Sequence, residues 1–133
     1  MRNFIFLTLV FLSFLSCKSA YPQEKNETLD VSIIQLIANP QDFENKKIRI
    51  KGYLSFQHEG NAIYLHKEDY ENVISQNAIY LYIKENDFVE NLIEKPYKGY
   101  MSIVGIFTNK DKGHRSSFVG AIKEVIFIRR LGE

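Results

Sequence analysis

The sequence predicts a mainly β protein with short helices, folded as a small closed Greek-key barrel behind an N-terminal helix. Apolar and polar residues alternate over residues 46–56 (KKIRIKGYLSF), which is the period of a half-buried strand. Residues 98–108 are apolar on both faces, as in a strand that is covered on both sides. The predicted order is a strand, a hairpin, a third strand, a helix, a central strand and final strands, which is the order of a Greek-key barrel.

The segment before the first long strand predicts a short helix over residues 31–38. Thr28 or Asp30 supplies its N-cap, because either side chain can accept a hydrogen bond from the first helical turn. Pro40 ends the helix, because proline disfavours helical geometry at the preceding residue. A turn then carries Phe43 towards the core. The predicted apolar face of the helix consists of Ile33, Ile34 and Ile37.

The rest of the barrel is predicted from the same alternation and from two glycines. Gly52 leaves a gap in the inward row of the first strand and predicts a bulge or a bend there. Gly120 predicts a bend within the strand over residues 118–122. The further predicted elements are strands over residues 62–66, 78–84, 118–122 and 125–130, a short helix or ordered loop over 67–75, and a helix over 87–94.

The N-terminus predicts an export signal. Arg2 supplies a positive start, and the apolar run that follows is too short to span a bilayer. Cys17, the only cysteine of the chain, comes directly after this run and precedes a polar stretch without periodicity. The predicted division is a signal peptide over residues 1–16, a flexible tether over 17–28 and the barrel domain over 29–133.

Cys17 and its neighbours resemble the lipobox of bacterial lipoproteins, in which the cysteine takes a diacylglyceryl group and becomes the new N-terminus. The resemblance implies stable anchoring to the bacterial cell envelope, because two acyl chains hold a protein where one gives only marginal binding. Lys18 stands where lipoproteins of the inner membrane typically have aspartate, so the outer membrane or the cell surface is favoured. The alternative is an ordinary secretory peptide with an incidental thiol.

Charge and motifs exclude several functions. The chain has 17 basic and 16 acidic residues, and loss of Arg2 with the signal peptide leaves the two in balance. This balance argues against nucleic acid as a partner, because nucleic acid requires a clustered basic surface. No glycine-rich phosphate loop, nucleophile elbow or metal-binding Cys/His spacing occurs, so no cofactor is predicted.

Two resemblances bear on the barrel itself. Residues 46–130 resemble an OB-fold, a five-stranded Greek-key barrel, with an added N-terminal helix. The stretches LIANPQDFENKKIRIKGYL, EGNAIYLHKEDYE and GHRSSFVGAIKEV are similar to a family of small bacterial exported proteins of unassigned function. That second resemblance implies a fold and export, and it implies no activity.

Two histidines and a carboxylate are candidate metal ligands. His58 and His66 come within reach of each other if the hairpin pairs around Gly60, and Glu68 shares the strand face of His66. Such a set suits a divalent transition metal. The alternative is structural: His66 ends a strand, and Glu68 and Asp69 begin a helix, where acidic side chains are favoured.

Tyrosines and two loops form the candidate binding surface. OB-folds bind oligonucleotides or oligosaccharides on the open face of their middle strands, where aromatic rings serve as stacking platforms. The alternative is that the tyrosines pack beneath the N-terminal helix or the segment over residues 87–94, with their hydroxyls in solvent. The predicted surface consists of Tyr53, Tyr80, Tyr82, Glu59, Asn61, His114 and Arg115.

These observations favour a non-enzymatic binding or accessory protein. Anchored through Cys17, it would present its barrel to a protein or a glycan of the envelope. A protein that neutralises a toxin is one special case of this hypothesis. The alternative function is a metal-dependent hydrolase or a metal-binding protein that uses His58, His66 and Glu68.

Overall fold

The structure is a computed structural model and describes residues 27–57, 60–83 and 97–132. The predictions made for the signal peptide, Cys17, most of the tether, His58, Glu59 and the helix over 87–94 lie outside these residues. The described elements are β1 (Leu29–Asp30), α1 (Ile33–Ala38), β2 (Lys47–Phe56), β3 (Ala62–Tyr64), α2 (Lys67–Glu71), β4 (Ala78–Leu81), β5 (Tyr97–Thr108) and β6 (Ala121–Arg130), with short 3₁₀ turns at Pro40–Phe43, Ser75–Asn77 and His114–Ser116.

Five of the strands close into a barrel. Strand β2 pairs with β3, β3 with β4, β4 with β6, and β6 with β5, and β5 returns to β2. These pairings are antiparallel except the short one between β4 and β6, which is parallel. Strand β1 lies outside the barrel and adds parallel to β2. The fold is therefore mainly β with short helices, and the predicted small OB-like barrel is confirmed.

The barrel interior is filled by the inward rows of its strands. In β2 the alternation predicted from the sequence holds, and its inward apolar side chains are fully buried. Strand β5 is central, because it pairs with β2 along one edge and with β6 along the other. Each such buried side chain contributes roughly 1.5–3 kcal/mol through the hydrophobic effect. The inward residues of these two strands include Ile48, Ile50, Leu54, Phe56, Met101, Ile103 and Phe107.

Helix α1 exists as predicted, but its start and its buried face differ from the prediction. Ser32 is the N-cap: its hydroxyl accepts a hydrogen bond from the Gln35 amide at 3.1 Å, and the Gln35 side chain accepts one from the Ser32 amide at 2.8 Å. Asp30 is not a cap, because it lies in β1 and pairs with Arg49 at 3.2 Å. The helix buries Ile33 and Leu36 and leaves Ile34 and Ile37 exposed, because Ile33 is the residue that reaches the barrel.

Gly52 accounts for that orientation, and the predicted bulge at this position is wrong. The pairing of β2 with β5 runs without a break through Gly52 and its partner Met101. A Cβ atom on Gly52 would lie 2.9 Å from side-chain atoms of both Ile33 and Ile63. The missing side chain therefore gives Ile33 its place against the barrel, and α1 covers this part of β2.

The last strand is also longer than predicted. The two strands predicted over 118–122 and 125–130 are one strand, β6, which begins after Gly120. Its register against β5 shifts twice, and these bulges leave Lys123 and Ile126 without a direct partner. Bulges increase the local twist, so they let one strand curve around the barrel where the sequence suggested a break.

The connection between β3 and β4 carries helix α2. The sequence predicted a short helix or an ordered loop there, and the structure has the helix. Strand β3 ends at Tyr64, two residues earlier than predicted. Within residues 27–57, 60–83 and 97–132, no helix is long and apolar enough to cross a bilayer.

Candidate functional site

An open pocket of about 520 Å³ lies where the end of β4 meets the loop before β3 and the loop before β6. Its volume is within the range of small-molecule sites. Four of the residues predicted as a binding surface line it together: Asn61, Tyr80, Tyr82 and His114. The other residues that line the pocket are Gly60, Leu81 and Ile83.

Asn61 is held at one wall of the pocket by two hydrogen bonds. Its side-chain oxygen accepts one from the Gln57 amide at 2.9 Å, just after β2. Its backbone oxygen accepts one from the Leu81 amide at 2.9 Å. These bonds tie Asn61 to the end of β2 and to the end of β4.

Two tyrosines form the aromatic part of the pocket. Tyr80 lies on the outward row of β4, and Tyr82 follows directly after the strand. The Tyr80 and Tyr82 rings meet edge to face with centroids 5.0 Å apart. Tyr80 also packs on Phe118, at 5.3 Å between centroids. Tyr82 is 40% exposed, whereas Tyr80 is half-buried between its neighbours. Tyr82 is therefore the ring that a ligand can reach, and Tyr80 supports it.

The loop over residues 109–120 is built around Asp111 and Gly113. The Asp111 carboxylate accepts a hydrogen bond from the Gly113 amide at 2.9 Å. A hydrogen-bonding interaction with the same carboxylate is the main reason that the pKa of Tyr82 is raised, with desolvation adding to it. Asp111 thus links the loop to the exposed ring.

His114 and Arg115 follow on a strained part of this loop. Arg115 and Ser116 adopt left-handed backbone angles, with φ of 59° and 53°, although neither is glycine. Such strain is found at functional sites more often than elsewhere. His114 lines the pocket, and the exposed Arg115 lies next to it in the chain. The structure therefore brings His114 to the tyrosines and places Arg115 beside the pocket.

Tyr53 lies elsewhere and is packed, as the structural alternative predicted, but the helix that covers it is α2 and not the N-terminal helix. It is buried beneath α2, where its ring contacts Tyr70 at 5.7 Å and Tyr100 at 5.4 Å. Lys98 stands 4.7 Å from the centre of the Tyr70 ring, and its hydrogen bond with the Tyr70 hydroxyl lowers the pKa of that tyrosine. Tyr53 therefore belongs to a packed cluster on the outside of the barrel and does not line the pocket.

The candidate metal ligands that the structure describes take structural positions. His66 and Glu68 are exposed at the start of α2. The buried Asp69 accepts hydrogen bonds from the His66 amide at 3.0 Å and from the Asn77 side chain at 2.8 Å. Among the described residues, no group of three histidine, cysteine or acidic side chains could hold a metal ion. His58 lies outside these residues.

Sequence reasoning missed two residues that shape the pocket, Asp111 and Phe118. Each acts through a contact with β4 across a long sequence separation. Only the register of the strands brings them together, and no local pattern in the sequence carries that information. The nearest signal in the sequence is Gly113, because a glycine in a polar segment between two strands indicates a turn.

No protein-family model matches the chain, and no curated protein matches it. The predicted relation to small exported proteins therefore stays a prediction. The inference of function depends on the geometry of the pocket and on the N-terminal sequence.

Proposed function

We propose that this chain is a lipid-anchored, non-enzymatic binding protein of the bacterial envelope, which holds a glycan in the pocket described above. The observation that carries the proposal is the convergence of Asn61, Tyr80, Tyr82 and His114 from three separate segments. Acylated Cys17 supplies the anchor, with the outer membrane or the cell surface as the favoured destination.

The shape and chemistry of the pocket favour a glycan over the other ligands of OB-folds. A sugar ring can stack on the exposed Tyr82 ring while its hydroxyls exchange hydrogen bonds with the polar walls. The edge-to-face contact with Tyr80 packs one side of the Tyr82 ring, which lowers the entropy lost on binding. The near-neutral charge of the chain disfavours nucleic acid, because counterion release needs a basic surface.

Calorimetric titration with a panel of neutral and N-acetylated oligosaccharides tests the proposal. Tyr82→Ala is expected to weaken binding about tenfold or more, because stacking on an aromatic ring is worth about 1–3 kcal/mol. His114→Ala is expected to weaken it less. Phe127→Ala is the matched control, because Phe127 is 46% exposed on β6 and does not line the pocket.

The alternative to a glycan ligand is a protein ligand. Crosslinking in intact cells, followed by mass spectrometry, would then enrich one envelope protein, and the Tyr82→Ala, His114→Ala double variant would lose it. Oligosaccharide affinity that is the same in the wild type and in both pocket variants would contradict the proposed site.

A further inference from the structure

Four large aliphatic side chains are exposed on α1 and on the turn that follows α2. Val73 is 78% exposed and Ile34 is 59% exposed, and Ile37 and Ile74 accompany them. Helix α1 contacts the Ser75–Asn77 turn, so the two groups belong to one side of the molecule. We name Ile34, Ile37, Val73 and Ile74 the apolar patch.

Val73 is the most exposed residue of the patch. Its φ is +57°, in the left-handed region, where asparagine or glycine would cost less. The end of α2 requires this angle, because the Val73 amide donates to the Tyr70 carbonyl at 3.2 Å and the Ile74 amide donates to the Asp69 carbonyl at 2.8 Å. The backbone angle therefore belongs to the helix end, and the exposure of a large aliphatic side chain there is what the fold does not require.

The patch lies at the opposite end of the β3–β4 pair from the pocket. Ala62 pairs with Tyr80 at the pocket end, and Tyr64 pairs with Ala78 at the other end, from which the patch-bearing connection leaves. The N-terminal part of the domain is at this second end as well, because residues 30–33 and Leu65 line a common groove. The tether therefore joins the domain beside the patch.

We propose that the apolar patch rests in the interfacial region of the bilayer that holds acylated Cys17, and that the pocket consequently faces away from the membrane. This inference rests on the lipid anchor of the proposed function. The chain between Cys17 and Glu27 spans at most about 35 Å when fully extended, so the patch stays close to the lipid surface. Tethering raises its effective concentration there, and weak contacts then suffice.

The chemistry of the patch fits a lipid surface. The six residues of α1 (IIQLIA) contain no charge, and the exposed side chains are aliphatic. Next to the patch, α2 carries Lys67, Glu68 and Glu71, which give no excess of positive charge. The contact is therefore apolar and does not require anionic lipid.

Fluorescence quenching in vesicles tests this orientation. The full chain, acylated at Cys17, is placed in phosphatidylcholine vesicles that carry a nitroxide on the upper acyl chain. Because acylation uses the only native cysteine, Gln76→Cys gives a single labelling site beside the patch, and Lys112→Cys gives one on the pocket loop. The label at 76 is expected to be quenched at least about twofold more than the label at 112.

Substitutions in the patch then distinguish contact between the patch and the bilayer from the effect of the tether alone. Ile34→Gln with Val73→Asn is expected to reduce the quenching at 76 at least about twofold without harm to the fold, because asparagine tolerates positive φ. Phe127→Gln, an exposed apolar site elsewhere, should leave it unchanged. Equal quenching at 76 and 112, or an unchanged signal in the patch variant, would overturn the inference and leave the lipid anchor standing. Absence of the diacylglyceryl mass on Cys17 would overturn both.

Discussion

Among single residues, Gly113 has the tightest constraint in the pocket loop. Its φ of 63° and ψ of −158° lie in a region open only to glycine. A Cβ atom there would also collide with Cγ of the Tyr80 ring and lie 2.6 Å from the Tyr80 Cβ atom. The loop can therefore pass this close to Tyr80 only because residue 113 has no side chain.

Gly113→Ala is expected to lower the free energy of unfolding by about 1–3 kcal/mol from backbone strain alone, and by more once the Tyr80 ring has to move. Gly60→Ala is the matched control. Gly60 also has a positive φ, of 79°, but no atom lies within 4 Å of its Cβ position. Urea denaturation measures both variants, and equal losses would show that the contact with Tyr80 costs nothing.

Glu44 links the turn after α1 to the end of β5. Its carboxylate accepts hydrogen bonds from the Asn109 amide at 2.7 Å and from the Thr108 hydroxyl at 3.1 Å. The bond from the Asn109 amide is the main reason that the pKa of Glu44 is lowered. Because the folded state favours the ionised form, Glu44 stabilises the protein above the pKa of an unfolded glutamate. That contribution disappears as pH falls through the lowered pKa.

The wild type is therefore expected to be more stable than Glu44→Gln near neutral pH, and the difference should shrink as the solution is acidified to about pH 3. Thermal unfolding of both proteins across this pH range measures the difference in stability. A difference that stays constant with pH would mean that the ionised carboxylate has no special role.

Among the secondary-structure elements, α2 shows how one buried acid holds a five-residue helix. Asp69 joins the residue before the helix to Asn77, which precedes β4, through two hydrogen bonds. Neighbouring Glu68 is exposed and belongs to the same first turn. The two carboxylates thus provide a matched pair for separating a structural acid from a surface acid.

Asp69→Ala is expected to cost about 1–3 kcal/mol of unfolding free energy, because it leaves two part-buried donors without their partner. Glu68→Ala should stay within about 0.5–1 kcal/mol of the wild type, because it removes only a surface charge from the helix start. Chemical denaturation separates the two. Similar losses would show that the hydrogen bonds of Asp69 are replaced by water.

Most elements could be predicted from the sequence because their patterns are local. The alternation in β2 and the two apolar faces of β5 follow from burial on one or both sides. The buried face of α1 was predicted correctly at Ile33, which fills the space above Gly52, and wrongly at Ile34 and Ile37, since Leu36 is buried in their place. The packing of Tyr53 was foreseen only as an alternative, because Tyr53 meets Tyr64 and Tyr100 through strand register.

For the whole molecule, the pocket and the apolar patch lie at opposite ends of the β3–β4 pair. Distant sites that share no partners contribute independently. The Ile34→Gln, Val73→Asn variant is therefore expected to bind oligosaccharide within about twofold of the wild type. Calorimetric titration of this variant checks it, and a tenfold loss would show that the two ends are coupled.

Part of the candidate site could be predicted from the sequence once the whole fold was taken into account. Knowledge of where OB-folds bind ligands selected Tyr80, Tyr82, Asn61 and His114, and the structure brings these four together. Tyr53 shares the outward face of β2, β3 and β4 with Tyr80, but its register partners Tyr64 and Ala78 place it at the end of that face away from the pocket. Alternation tells which way a side chain points, and only the closed sheet tells what stands beside it.

The parallel pairing of β4 with β6 is the shortest seam of the closed barrel, since only Tyr80 and Leu81 find partners there, in Ala121 and Ile122. The amides of Tyr80 and Tyr82 donate across this seam to Gly120 and Ile122. Both residues that form it on β4 also line the pocket. A ligand that contacts both β4 and the 109–120 loop would therefore stabilise this pairing. Binding in the pocket is then expected to protect the weakest junction of the barrel from opening.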